Sequence, residues 1–172
     1  NKYIYPYLLR NLDIHKPNQV WQIDITYIPM KNGFMYMTAV IDVYSRYIVG
    51  WGISNSLEAS ESLKVVQEAI KIHGKPEILN SDQGTQFSCH SYVEYLKKED
   101  IKISMDGKGR CLDNIFIERF WRTLKYQHIF LNPAKDGLEL YLGIQKWLQR
   151  YHNRGHQGIE LKKPVEKYKL AA

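Results

Sequence analysis

Hydrophobic residues change their period once along this chain, close to residue 55, and the change dictates the architecture. From Val20 to Ile28, Trp21, Ile23, Ile25 and Tyr27 alternate with Gln22, Asp24 and Thr26, the period of a strand. Lys31-Asn32-Gly33 follows, and Asn-Gly is a strong hairpin turn. Phe34 to Val43 reads as a second strand, apolar on both faces and so central. Tyr44-Ser45-Arg46 turns the chain into a third strand, Tyr47 to Ser54. Beyond it, Ala59, Leu63, Val66 and Ile70 recur at helical spacing, with Ser56 as the expected cap and Gly74 and Pro76 as the stop. A short strand at 78–82, a helix at 91–98, a strand at 101–104 and helices at 113–128 and 138–151 complete the order. Three antiparallel strands, then alternating helices and strands, predict an α/β fold: a mixed five-stranded sheet with helices on both faces.

The 172 residues suit one domain with a core of its own, and 44% hydrophobic against 24% charged residues is a globular composition. Residues 1–18, with Pro6 and Pro17, read as a linker or the tail of an upstream domain, 19–152 as the folded core, and 153–172 as a basic tail. The chain opens on Asn1 rather than Met and is expected to be a piece of a longer protein. No apolar run is long enough for a membrane span, and no basic-then-apolar leader is visible. A net charge of +6 favours polyanions without identifying one. Two cysteines, Cys89 and Cys111, are too few for a disulfide scaffold or a cysteine zinc site, and point to a reducing compartment.

Three acids stand where chemistry could occur. Asp24 lies mid-strand between Ile23 and Ile25, where a charge is costly unless it is paired, metal-bound or open to a cleft. Asp82 closes the fourth strand; taken alone, with Gly84 behind it, it reads as a turn residue. Glu118 shares a helix face with Asn114, Arg122 and Lys125, and taken alone suggests a solvated Glu–Arg pair worth a few tenths of a kcal/mol. Together, three carboxylates repel unless a cation compensates, and hard divalent ions do this best. No Ser-His-Asp or Cys-His arrangement stands out.

Four blocks carry a resemblance. Trp21-Gln-Ile-Asp24-Ile-Thr-Tyr-Ile28, Ala39-Val-Ile-Asp42-Val-Tyr-Ser-Arg46 with Ile48-Val-Gly-Trp51, Ser81-Asp82-Gln-Gly84-Thr-Gln-Phe87 and the run from Gly107 to Lys125 appear in order, with 35 residues between Asp82 and Glu118. The chain resembles the catalytic core of bacterial insertion-sequence DDE transposases, members of the retroviral-integrase superfamily with a ribonuclease-H-like fold. The resemblance covers about Pro17 to Tyr168. It implies Asp24, Asp82 and Glu118 as catalytic and metal-binding residues holding two Mg²⁺ ions, with Mn²⁺ as a substitute; Asp24 and Asp82 would share one ion, Asp24 and Glu118 the other. Asp42, the rival carboxylate, is expected to be structural. Asn114, Arg122, Lys125, Arg154 and His156 are expected DNA contacts. The segment from Tyr151 to Gly158 resembles the family's closing motif, which usually carries proline where this chain has Gly155.

The implied activity is metal-dependent DNA end cleavage followed by 3′-OH strand transfer, in the bacterial cytoplasm, with self-association on DNA. The alternatives are a nuclease of the same fold without joining activity, or a silent DNA-binding remnant. A zinc pair at His152 and His156 is conceivable, but no further ligands lie near it in the sequence.

Overall fold

The computed structural model describes residues 2–169; the expected elements occur in the expected order, with one addition, a short helix in the segment expected to be a tail. The meander comprises β1 (Val20–Pro29), β2 (Phe34–Asp42) and β3 (Ile48–Ser54). Then follow α1 (Ala59–His73), β4 (Ile78–Ser81), α2 (His90–Lys98), β5 (Lys102–Met105), α3 (Ile115–Leu124), α4 (Gly137–His152) and the short α5 (Pro164–Lys169). The five strands lie in the order β3-β2-β1-β4-β5. β1 is thus central, antiparallel to β2 and parallel to β4, with Asp24 opposite Ala39 and Gln22 opposite Asn80.

Alternation along the strands feeds two cores. Trp21, Ile23, Val40 and Leu79 face Val66 and Ala69 of α1 and Val93 and Leu96 of α2. Ile28, Met37, Ala39 and Ile41 face Ile117, Phe120 and Trp121 of α3 and Ile144 and Trp147 of α4. Each such fully buried large side chain contributes roughly 1.5–3 kcal/mol. Both faces of the sheet are covered, and Asp24 lies on the α3 side.

Several boundaries differ from the sequence expectation. Ser56 does not cap α1: Glu58 holds the cap position without a side-chain bond, and Ser56 Oγ instead accepts from Glu58 N at 3.1 Å. Gly74 does end α1, with φ of 79° and its N–H on Ile70 O. The helix expected from Asp113 to His128 starts later, at Ile115, after a 3₁₀ turn at Cys111–Asn114. From Lys125 to Ile129 it widens into a π turn, closed by Phe130 N to Lys125 O at 2.9 Å. Side-chain periodicity does not distinguish these tighter and wider turns from α-helix.

The leading segment runs beside β5, with Met105 N on Pro6 O at 3.3 Å and Leu8 N on Ser104 Oγ at 2.9 Å. At the other end, residues 157–159 form a 3₁₀ turn before α5. Tyr168 of α5 donates to Asn18 Oδ1, which also accepts from Trp21 Nε1, so the end of the chain is tied to the entry of β1. Asn1 and the last three residues of the tail lie outside the described residues.

Asp42 has the structural role expected of it. It is fully buried and accepts from Asn18 N at 2.8 Å, Ser45 N at 2.9 Å and the Ser45 hydroxyl. Burial pushes its carboxyl up, and these bonds oppose the rise. They hold the tight turn after β2, where Arg46 takes φ of 64°.

Candidate active site

Three elements bring the expected carboxylates to one end of the sheet. β1 carries Asp24, whose side chain accepts from Trp121 Nε1 of α3 at 3.1 Å. Asp82 follows the last residue of β4, the parallel neighbour of β1. Its turn role is real: Oδ1 accepts from Gly84 N at 2.7 Å. A Cβ at position 84 would stand 2.8 Å from that oxygen, so a larger residue there would displace the Asp82 carboxylate. Glu118 sits in the first turn of α3, one turn before Trp121 and Arg122. Its sequence partner Arg122 forms no salt bridge with it, as no such pair occurs among the described residues.

Electrostatics tie the three together. Burial raises the Asp24 carboxyl from its ordinary 3.8 to about 6. Bonds from Trp121 and the Ile25 backbone oppose that rise, while the charges of Asp82 and Glu118 add to it. Asp24 is the enclosed member; Asp82 and Glu118 are exposed to solvent. Modest burial also raises Glu118. Among the described residues, no three His, Cys, Asp or Glu side chains stand at the separations of a formed metal site. The chemistry of the donor set nevertheless fits a hard divalent ion: all three are carboxylates, and the strained Asp24 charge is what a cation relieves.

A fourth acid belongs to this neighbourhood and was missed in the sequence. Asp106 follows β5 as Asp82 follows β4, and only 9% of it is exposed. Its Oδ1 accepts from Asn80 Nδ2 at 2.8 Å, and Asn80 Oδ1 accepts from Ser104 Oγ at 2.7 Å. Burial pushes Asp106 up to about 7, with Asp113, Asp82 and Asp24 adding repulsion. The strand-end position was the available signal.

Gln22 is the second residue missed. It is 1% exposed and joins β1 to the start of α3. Its Nε2 donates to Asp113 O and its Oε1 accepts from Ile117 N, both at 3.3 Å. Asn114, at the cap position, makes no capping bond. Gln22 therefore serves from a neighbouring strand the helix-end N–H that a cap would serve. Asp113 Oδ2 accepts from Gly107 N at 3.0 Å, holding the loop that leads to Glu118.

The expected DNA contacts divide. Lys125 stays near the carboxylates: Nζ donates to Thr26 Oγ1 at 2.7 Å, two residues beyond Asp24. Burial lowers its pKa, and the Asp24 charge opposes that. Asn114 is buried, with Oδ1 lacking a hydrogen-bond partner. Arg122, Arg154 and His156 line a separate cavity. His152 is no zinc ligand here: its Nε2 accepts from Ile48 N at 3.1 Å, and its ring stacks on Tyr47 at 4.0 Å. Gly155 has a local reason, since a Cβ there would stand 2.5 Å from the Leu161 carbonyl oxygen.

A mixed sheet in this order, with one acid within its central strand, a second just past the neighbouring parallel strand and a third on the flanking helix, places the protein in the ribonuclease-H-like class. The chain belongs to the integrase core domain family: the family's sequence pattern matches residues 14–111, and a second integrase core domain pattern matches residues 99–164. It is 36% identical over 162 residues to the transposase for insertion sequence element IS904 of Lactococcus lactis, covering 88% of this chain and 62% of that one. It is also 36% identical over 115 residues to transposase InsF for IS3A of Escherichia coli, covering 66% and 40%. The chain thus spans less than two thirds of either relative. Its fold is shared with a chain of the simian T-cell lymphotropic virus intasome in complex with PP2A regulatory subunit B56 gamma (TM-score 0.78, 19% identity, covering 98% of this chain and 58% of that one). It is shared too with the HTLV-2 integrase catalytic core domain in complex with magnesium (TM-score 0.70, 21% identity, covering 89% and 97%).

Proposed function

We propose that this chain is the catalytic core of a DNA transposase, which cuts a phosphodiester at the end of a mobile element and joins the freed 3′-OH to target DNA. The observation that carries the reading is Asp24: a carboxylate fixed on the central strand, with Asp82 and Glu118 near enough to raise its pKa. Asp24, Asp82 and Glu118 would hold two divalent ions, Mg²⁺ with Mn²⁺ as substitute. Bound there, such ions supply Lewis acidity to the attacking and leaving oxygens of a phosphoryl transfer. Trp121 fixes the direction of Asp24 through one carboxylate oxygen. Lys125, tethered by Thr26, keeps a positive charge beside the site for a DNA phosphate. Arg122 extends from α3 as a further phosphate contact. The insertion-sequence relatives support DNA as the substrate, and the intasome chain of the same fold is in keeping with self-association on DNA, in the cytoplasm. Among the described residues, no helix is long and apolar enough to cross a membrane.

Calorimetric titration with Mn²⁺ is expected to show saturable binding that an Asp82→Asn/Glu118→Gln variant lacks. Given DNA ends with a pre-cut 3′-OH, the unmodified chain should form a joined product. Nicked DNA without joining would move the reading to a nuclease, and equal Mn²⁺ binding by both proteins would remove the carboxylates from the metal site. Lys125→Ala is expected to weaken DNA binding by about 1.5 kcal/mol, roughly tenfold, the value of one charged hydrogen bond. Mn²⁺ affinity should change much less; a larger loss of Mn²⁺ than of DNA affinity would contradict the role given to Lys125.

A further inference from the structure

α3 has two working flanks. Trp121 and Lys125 bond to β1 on one side, beside Glu118. The opposite flank, with Phe116 and Arg119, lines a cavity of about 610 Å³. Arg46 enters this cavity from the turn after β2, and Arg154 and His156 enter from the segment after α4. With Arg122, four arginines surround one concavity, and none of its lining residues is acidic.

Compensation among the described residues is slight, and the Asp42 charge reaches Arg46 without forming a salt bridge. Among the described residues, none of the four arginines forms a salt bridge. Arg154 is aimed by Gln127, whose Oε1 accepts its NH2 at 3.0 Å. Arg46 lies 4.0 Å over the Phe116 ring and donates to Val43 O. Burial works against the Arg46 charge and Arg119 adds repulsion, while Tyr151 and Asp42 favour the charge. The Nε2 atom of His156 is buried without a hydrogen-bond partner. Converging like charges raise the free energy of the unliganded protein, and an anion returns it. Guanidinium forks match phosphate oxygens, and the space exceeds what one small anion fills. Aromatic rings beside guanidinium groups are the usual wall for sugars and bases.

We propose that this cavity binds the sugar-phosphate backbone of a DNA strand away from the scissile phosphate, with Arg46 and Arg119 as contacts, so that DNA is held on both flanks of α3. The polyanion is identified as DNA on the strength of the transposase reading.

The test is the salt dependence of binding to a fluorescent DNA duplex, followed by anisotropy. Removing one cation that neutralises a phosphate makes the slope of log K against log salt shallower by about 0.9. Arg46→Gln/Arg119→Gln should therefore make it shallower by about 1.8, with Mn²⁺ binding unchanged. Lys71→Gln/Lys98→Gln removes the same charge from exposed positions on α1 and α2 and should leave the slope as it was. Because Arg46 packs on Phe116, Arg119→Gln/Arg154→Gln, which alters only exposed side chains of the cavity, provides a second reading with the same expected drop. Salt-dependent binding with an unchanged slope in the arginine variants would overturn the cavity alone, as would an equal drop in the lysine variant. No salt-dependent binding by the unmodified chain would overturn the DNA reading and the cavity with it.

Discussion

Replacing Asp24 with Asn is expected to stabilise the metal-free protein while silencing it. The Asp24 carboxyl rises from 3.8 to about 6 on folding. Between those pH values the unfolded chain gives up its proton and the folded chain keeps it. Stability is therefore lost as pH climbs from about 4 to about 6, and the full penalty stands above that. Two pH units correspond to roughly 3 kcal/mol, an upper figure because solvent reaches part of the side chain. Asn removes the charge and keeps an oxygen for Trp121. In EDTA at pH 8, its melting temperature should lie roughly 5–10 °C higher, and the gain should vanish below pH 4. Adding Mn²⁺ should raise the melting point of the unmodified protein and not that of the variant. Strand transfer should fall by more than the roughly 100-fold that supporting residues around a metal cost. Identical melting curves at pH 8 would mean that Asp24 bears no strain and that the electrostatic picture of the site is wrong.

Gln22→Leu should produce the opposite pattern. The substitution keeps the size and burial of the side chain and removes both bonds to the start of α3. Asp113 O and Ile117 N lose their partner in a buried place, at a cost of about 2 kcal/mol. The damage should be local. Hydrogen exchange is expected to quicken from residue 107 to residue 118 and stay unchanged in β2 and β3. Activity should drop about tenfold or more, because β1 carries Asp24 and α3 carries Glu118, and Gln22 fixes one against the other. A fall in stability spread evenly over the chain would leave Gln22 as a core residue and nothing more.

The strands, the helices and the three acids were legible in the sequence for one reason: each leaves a local trace. Period two marks β1, helical spacing marks α1, and an acid between two isoleucines is conspicuous. The Glu118–Arg122 spacing was legible as well, yet the salt bridge it suggested is not formed. What escaped depends on contacts between segments distant in the chain. Gln22 looked like any polar residue on an alternating strand, and only the placement of α3 gives it two partners. Asp106 gains its character from Asn80, 26 residues earlier. The arginine cavity draws Arg46, Arg119 and Arg154 from three separate stretches. Turn types also escaped, since the 3₁₀ entry and the π exit of α3 carry side chains no different from those of a regular helix.

The strand order has a consequence for how the chain reaches its native state. β3, β2 and β1 are joined by short turns and can pair as soon as they exist, whereas β4 must close a long loop to lie parallel to β1. Pairings of high sequence separation are slow to form. During synthesis the meander can assemble while Glu118 has yet to emerge from the ribosome. The three acids therefore come together only once α3 has docked on β1.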